Sequence, residues 1–349
     1  MVYLWSMKHI ITFGEIMLRL KSPGVERLFQ SPYLEATFGG GEANVAVSLS
    51  LLGAQATFVS VLPTNPLGEG AMGELRRHGV DVSRIRRTKD RMGTYYLETG
   101  ANQRASNVVY DREGSGISRI KPGDLPWAEI FQGADWFHTT GITPALSQSA
   151  ADTAIEAVKA ARAAGLEVSI DLNFRKKLWQ YGVKAPEIMR KLAAHATVLI
   201  ANEEDIQLGL GMTDSTDVTS GHLSVENYKN LAQKVKEAFP SVHTLAITLR
   251  RSHSADRNGW SAVLHGKSGF YESQSYDIDD IVDRVGGGDS FGAGLIFGLL
   301  EYPQNEEKAL RFAVAASALK HSILGDFNLV TRDEVEALVA GDGSGRVQR

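Results

Sequence analysis

The sequence predicts an α/β protein: a mainly parallel sheet covered by helices on both faces, with a small accessory β-sheet beside it. Short β-branched runs alternate with helical stretches along most of the chain. Repeated βα order needs crossovers, and these bury a parallel sheet between helical layers. Two regions, 17–38 and 93–113, break that rhythm with strand-like patterning of their own. Gly53, Gly79 and Gly165 stand at expected helix C-termini, where a residue tolerant of positive φ is wanted.

Strands are expected at 10–13, 57–61, 136–138, 167–171, 198–201 and 244–249, and helices at 42–52, 68–78, 149–164, 185–194, 225–238 and 290–300. The runs Thr94-Tyr95-Tyr96-Leu97-Glu98 and Ser106-Asn107-Val108-Val109-Tyr110 supply the accessory sheet. No charge occurs between Glu42 and Glu69, but Asn44, Ser48, Ser50, Gly53, Gln55, Thr57 and Ser60 interrupt the stretch. It reads as a buried helix followed by a buried strand, not as a membrane span. With no interdomain linker and no solenoid-type repeat, residues 1–349 are expected to form a single domain, with 17–38 and 93–113 as lid segments. The tail 341–349 is expected to be disordered. Met7 can serve as a start, leaving 1–6 as an extension, and the opening residues turn polar too quickly for a signal peptide.

Composition narrows the function. Hydrophobic residues make up 43% and charged residues 22%, which excludes a disordered or fibrous chain. A net charge of −4 without a long basic run argues against nucleic acid as a partner, so anionic ligands need locally placed arginines. The absence of cysteine excludes disulfides, thiolate-bound zinc and a cysteine nucleophile, and fits a reducing, cytoplasmic setting. The nine histidines show no metal-motif spacing.

The strongest local signal is Asp283-Arg-Val-Gly286-Gly287-Gly288-Asp289-Ser-Phe-Gly292-Ala-Gly294, leading into an apolar helix. Glycines at a helix N-terminus let successive amides face one way and cradle an anion. Asp289 at that edge suits a general base for an alcohol undergoing phosphoryl transfer; an N-cap aspartate after a flexible turn has the same pattern. Gly39-Gly40-Gly41-Glu42-Ala43-Asn44 also opens a helix, either to admit a small polar ligand to the backbone or as a tight loop. Arg175, in Asp171-Leu-Asn-Phe-Arg175 after a strand, can clamp a carboxylate or phosphate, or pair with a neighbouring acid. Tyr95, Tyr110 and Arg112 fit a ligand role or a solvated sheet face. Asn202-Glu203-Glu204-Asp205 fits hydrated magnesium or an acidic helix start. The one literal G-x-G-x-x-G, Gly68 to Gly73, lacks the tight strand-to-helix turn of a dinucleotide site, which disfavours a nicotinamide oxidoreductase.

The two glycine motifs together, in this order and separation, resemble the two signatures of the ribokinase-like sugar kinases of phosphofructokinase B type, over nearly the whole chain. Phe13-Gly-Glu-Ile-Met-Leu-Arg19, Tyr110-Asp-Arg112-Glu-Gly-Ser115 and Asp171-Leu-Asn-Phe-Arg175-Lys-Lys-Leu-Trp179 are similar to its 2-keto-3-deoxygluconate kinase branch. The resemblance implies a ribokinase-like αβα sandwich with a β-sheet lid. ATP is the implied donor, magnesium the metal and 2-keto-3-deoxygluconate the acceptor, phosphorylated to its 6-phosphate. It further implies Asp289 as catalytic base, with an anion hole at Gly286, Gly287 and Gly288. Gly40, Asn44, Tyr95, Tyr110, Arg112 and Arg175 fall on the sugar side, Asn202, Thr248 and Arg250 on the nucleotide side, and Asp205 toward magnesium. Two arginines suit an acidic sugar. A homo-oligomer formed through the lids is also implied. Departures from the family pattern are Gly287 in place of alanine, Asp205 in place of glutamate, and Arg250 where glycine is frequent. A kinase for fructose, ribose or the galactonate epimer, or a non-catalytic sugar or nucleotide sensor, remains open at this point.

Overall fold

The computed structural model describes residues 7–212 and 225–343. The expectations for 1–6, and for the tail beyond 343, lie outside the described residues. In chain order the elements are β1 (His9–Phe13), β2 (Met17–Lys21), β3 (Glu35–Gly39), α1 (Gly41–Leu51), β4 (Gln55–Val59), β5 (Val61–Pro63), α2 (Pro66–Arg77), β6 (Arg86–Thr88), β7 (Thr94–Glu98) and β8 (Asn107–Asp111). There follow α3 (Trp127–Ile130), β9 (Trp136–Thr140), α4 (Gln148–Ala163), β10 (Glu167–Asp171), α5 (Ala185–Ala193), β11 (Val198–Ala201), a π-helical turn (Asp205–Gly209) and α6 (Val225–Ala238). The chain closes with β12 (Thr244–Ser252), β13 (Asn258–His265), β14 (Phe270–Glu272), β15 (Tyr276–Ile278), α7 (Gly287–Glu301), α8 (Glu306–Lys320) and α9 (Arg332–Val339).

The large sheet has the order β14-β13-β12-β11-β10-β9-β1-β4, with β15 also pairing with β13. Strands β4 to β12 along this path are parallel, and β13 to β15 are antiparallel additions. Alternation across the pleat separates two cores. Ile11, Leu199 and Leu245 join α4, α5 and α6 on one face, while Ile10, Ile200 and Ala246 join α1, α7 and α8 on the other. Strand order reverses at β1, which lies between β4 and β9. Open α/β sheets bind ligands outside the carboxyl ends of their strands near such a switch point.

Segments 17–38 and 93–113 form the separate four-stranded sheet β3-β2-β7-β8, as their patterning predicts. Gly53, Gly79 and Gly165 have φ of 100, 79 and 81°, the expected helix-end conformation. The strand expected at 57–61 instead splits: Ser60 turns inward, donating to the Gly14 carbonyl at 2.6 Å, and β5 leaves to pair with β6. Strands β13–β15 and helices α8 and α9 go beyond the elements that the sequence pattern marks. α8 is buried on most sides, so its alanine-rich face has no apolar–polar contrast to read. Among the described residues no helix is long and apolar enough to cross a membrane.

Candidate active site

Every residue that the family resemblance assigns to the site lines one cavity of about 580 Å³, at the carboxyl ends of β1, β10, β11 and β12 and under the small sheet. Its floor is the start of α7. Gly286 sits at φ +85°, and a Cβ there would lie 2.1 Å from the Asp326 carbonyl oxygen, so the turn tolerates glycine alone. At Gly288 a Cβ would meet nothing within 4 Å, leaving open space at the helix N-terminus. The amides of Gly288 and Asp289 begin the helix without an intrahelical acceptor. The Gly287 amide differs from expectation: it donates to the Arg284 carbonyl at 3.3 Å.

Asp289 is the third residue of α7, and its side chain caps no amide; Gly286 is the N-cap. The N-cap alternative is thereby excluded. Its Oδ2 accepts from Asn44 Nδ2 at 2.6 Å, and Asn44 Oδ1 in turn accepts the Gly40 amide at 3.1 Å. Thus the two glycine motifs, 245 residues apart at that bond, meet at one carboxylate. Burial pushes the Asp289 pKa up to about 6, with Asp326 adding to the rise and Asn44, Arg175 and Lys320 opposing it. Two expectations change. Asn44 orients the carboxylate first, leaving less of its amide for a ligand, and Gly40 is glycine because a Cβ would fall 2.0 Å from the Glu15 carbonyl oxygen.

Beneath the small sheet, Tyr95 is buried and donates to Asp326 Oδ1 at 2.6 Å, while Tyr110 is exposed, with its ring 6.0 Å away. Arg112 pairs with buried Glu15 and stacks 5.5 Å over Tyr110. Its charge is therefore shared, which weakens the simple count of two free arginines. Arg175 donates to the Phe174 carbonyl at 3.0 Å and enters no ion pair among the described residues. Its charge favours the ionised forms of Asp171, Asp205 and Asp289.

At the β11 end of the cavity, adjoining Phe174, Asn202 and Asp205 close a reciprocal turn. Asp205 Oδ2 accepts the Asn202 amide and Asn202 Oδ1 accepts the Asp205 amide, both at 2.9 Å, while Asp205 Oδ1 takes the Phe174 amide at 2.8 Å. With both oxygens engaged, Asp205 fits a role toward a hydrated cation through water better than direct ligation. Among the described residues no three acidic or histidine side chains form a metal cage. Thr248 donates weakly to the Ala201 carbonyl at 3.4 Å. Arg250 and Arg284 line this end, each held below the usual arginine pKa by desolvation, Arg250 also by its neighbour Arg284.

A family model described as pfkB family carbohydrate kinase matches residues 7–326. The chain belongs to the pfkB family of carbohydrate kinases. It is 35% identical over 337 residues to a 2-dehydro-3-deoxygalactonokinase of Haloferax volcanii, covering 96% of this chain and 98% of that one. It is 28% identical to a 2-dehydro-3-deoxygluconokinase of Bacillus subtilis, covering 95% of each chain. The crystal structure of a 2-dehydro-3-deoxygluconokinase from Thermotoga maritima superposes with a TM-score of 0.90 at 43% identity, over 96% of this chain and 99% of that one. The fold is thus ribokinase-like, and the chain is a carbohydrate kinase, an enzyme that phosphorylates an alcohol.

Several groups in this kinase's cavity escaped the sequence reading. Glu42 is buried with its Oε1 accepting from the Thr140 amide (3.0 Å) and from the Thr140 (2.8 Å) and Thr143 (3.1 Å) hydroxyls; burial raises its pKa to about 7. Asp171 is raised well above the carboxylate range by burial and by the charges of Asp205 and Asp289. Arg284 stands inside the glycine motif with no role assigned to it, while Trp260, His321 and Asp326 come from parts of the chain where no motif pointed to a site.

Proposed function

We propose that this kinase transfers the γ-phosphoryl group of ATP to the terminal hydroxyl of 2-keto-3-deoxygluconate. The observation that carries the reading is Asp289: a carboxylate with its pKa near 6, fixed by Asn44 and set beside the open N-terminus of α7. Above pH 6 it is ionised and takes the hydroxyl proton as the alcohol oxygen bonds to phosphorus. The bond from phosphorus to the β–γ bridging oxygen breaks, and ADP leaves. The amides of Gly288 and Asp289 stabilise charge on the transferring group, joined by that of Gly287 if it releases the Arg284 carbonyl. Arg250 and Arg284 bind the polyphosphate, with Asn202 and Thr248 beside it. Asp205 would hold a hydrated magnesium ion through water, and that ion would supply charge neutralisation to the phosphates. The small sheet acts as a lid that excludes water.

Arg175 supports an acidic acceptor. As a guanidinium that lines the cavity and enters no ion pair among the described residues, it suits a carboxylate of the sugar. The galactonate epimer is the second reading, favoured by the Haloferax relative. An ADP-release assay over 2-keto-3-deoxygluconate, its galactonate epimer, gluconate, fructose and ribose tests both. Highest kcat/KM on a keto-deoxy acid is expected; preference for fructose or ribose overturns the substrate assignment, and no turnover of any alcohol overturns the mechanism.

A further inference from the structure

Lysine is almost never fully buried unless it is paired, and Lys320 is 0% exposed. It ends α8 directly beneath the Gly286 turn: a Cβ on Gly286 would sit 3.4 Å from Lys320 Cε. Its ammonium donates to the Ile323 carbonyl at 2.9 Å and to the Asp283 carbonyl at 3.3 Å. Those carbonyls belong to the two strands of chain that enclose the turn, one leading into it and one running on to Asp326. The groups facing the ammonium are Asp283 before the turn, Asp289 on α7, Asp326 beyond α8 and Arg19 from β2. His321, the residue that caps α8, is neutral: burial lowers it to about 4, and its Nδ1 faces the Ser317 carbonyl at 2.8 Å.

A hydrophobic residue would fill this space without the desolvation penalty. The position of the charge explains its retention. We infer that Lys320 is a positioning residue for phosphoryl transfer, its ammonium pinning the Asp283 and Ile323 carbonyls so that the glycine turn holds its amides toward the cavity, and adding positive charge beneath the anion cradle. The inference rests on the reading of that turn as an anion cradle. It adds a group that never touches substrate. Burial lowers the Lys320 pKa to about 8, so the charge is present at neutral pH and fades in alkaline solution.

The test compares Lys320→Met, which keeps the stem, with Lys320→Gln, which keeps an N–H donor and loses the charge. Each is assayed on the alcohol that the wild-type enzyme phosphorylates best, whichever that is, so an error in the substrate assignment does not touch the result. For Lys320→Met we expect kcat to fall by roughly tenfold or more, with sugar KM changed less than about threefold. Lys320→Gln should recover part of kcat. In both variants the acid limb of the kcat profile should move up by about half a pH unit, because a positive charge that favours ionised Asp289 is gone. The same rise should appear in the ¹³C titration of the Asp289 carboxyl, a measurement that needs no substrate. Wild-type kcat with an unmoved limb in both folded variants overturns the inference, as does a loss confined to KM. Failure of both variants to fold overturns it in favour of a purely structural lysine.

Discussion

At the scale of single residues, Asp289 embodies a trade between stability and chemistry. Its pKa is raised from 3.8 to about 6, so the folded state binds the proton more tightly than the unfolded chain does. That contribution is fully present below about pH 4 and is lost as pH rises through 6, which makes the ionised carboxylate a destabilising element at neutral pH. Asp289→Asn is therefore expected to raise stability at pH 8 by about 1–3 kcal/mol while lowering kcat by roughly a hundredfold or more. Urea titration at pH 8 beside a turnover assay checks both signs together. The wild-type kcat should fall about tenfold per pH unit below 6, since only the ionised form accepts a proton; a flat profile from pH 7 to 5 would remove Asp289 as base.

At the scale of elements, helix α7 carries Asp289, the proposed base, and the glycine turn at its start, so its seat against α8 sets the geometry of the candidate site. That seat is made close by small residues: a Cβ on Gly294 or Gly298 would lie 2.8 Å from the backbone Cα of Ala313 or Ala309. Backbone cannot yield as a side-chain tip can. Gly298→Val is expected to destabilise the protein by about 2–4 kcal/mol and to lower kcat, because α7 must slide or tilt away from α8. Thermal unfolding together with kcat checks this, and a variant of wild-type stability and rate would show that the helix pair is loosely seated. Gly294 and Gly298 thus serve the contact with α8.

At the scale of the whole molecule, Arg19 fastens the small sheet to the glycine turn. It is 1% exposed and bridges Asp283 and Asp326 at 2.5 Å each, while Tyr95 from the same sheet reaches Asp326. Removing one member of a buried ionic set leaves the others uncompensated, at a cost of about 3–5 kcal/mol. Arg19→Met should show that loss in urea unfolding, with amide exchange accelerated most in β2 and β7 and in the segment around Asp283. Uniform acceleration across both sheets would argue against a fastening specific to this junction.

Much of this was legible along the chain. Periodicity gives the parallel strands, the accessory sheet and the glycine helix ends, because those depend on near neighbours and on which face is apolar. Two glycine motifs mark the turn and Asp289, the proposed base. What no stretch of sequence carries is partnership across long separations: that Asn44 spends its amide on Asp289, that Glu15 takes up Arg112, that Arg19 faces inward to two aspartates, and that a lysine lies under the turn. A charged residue on a strand reads the same whether it meets water, a ligand or another buried charge. Only folding, by excluding water and fixing distances, turns those residue types into a carboxylate of raised pKa and a buried ion pair.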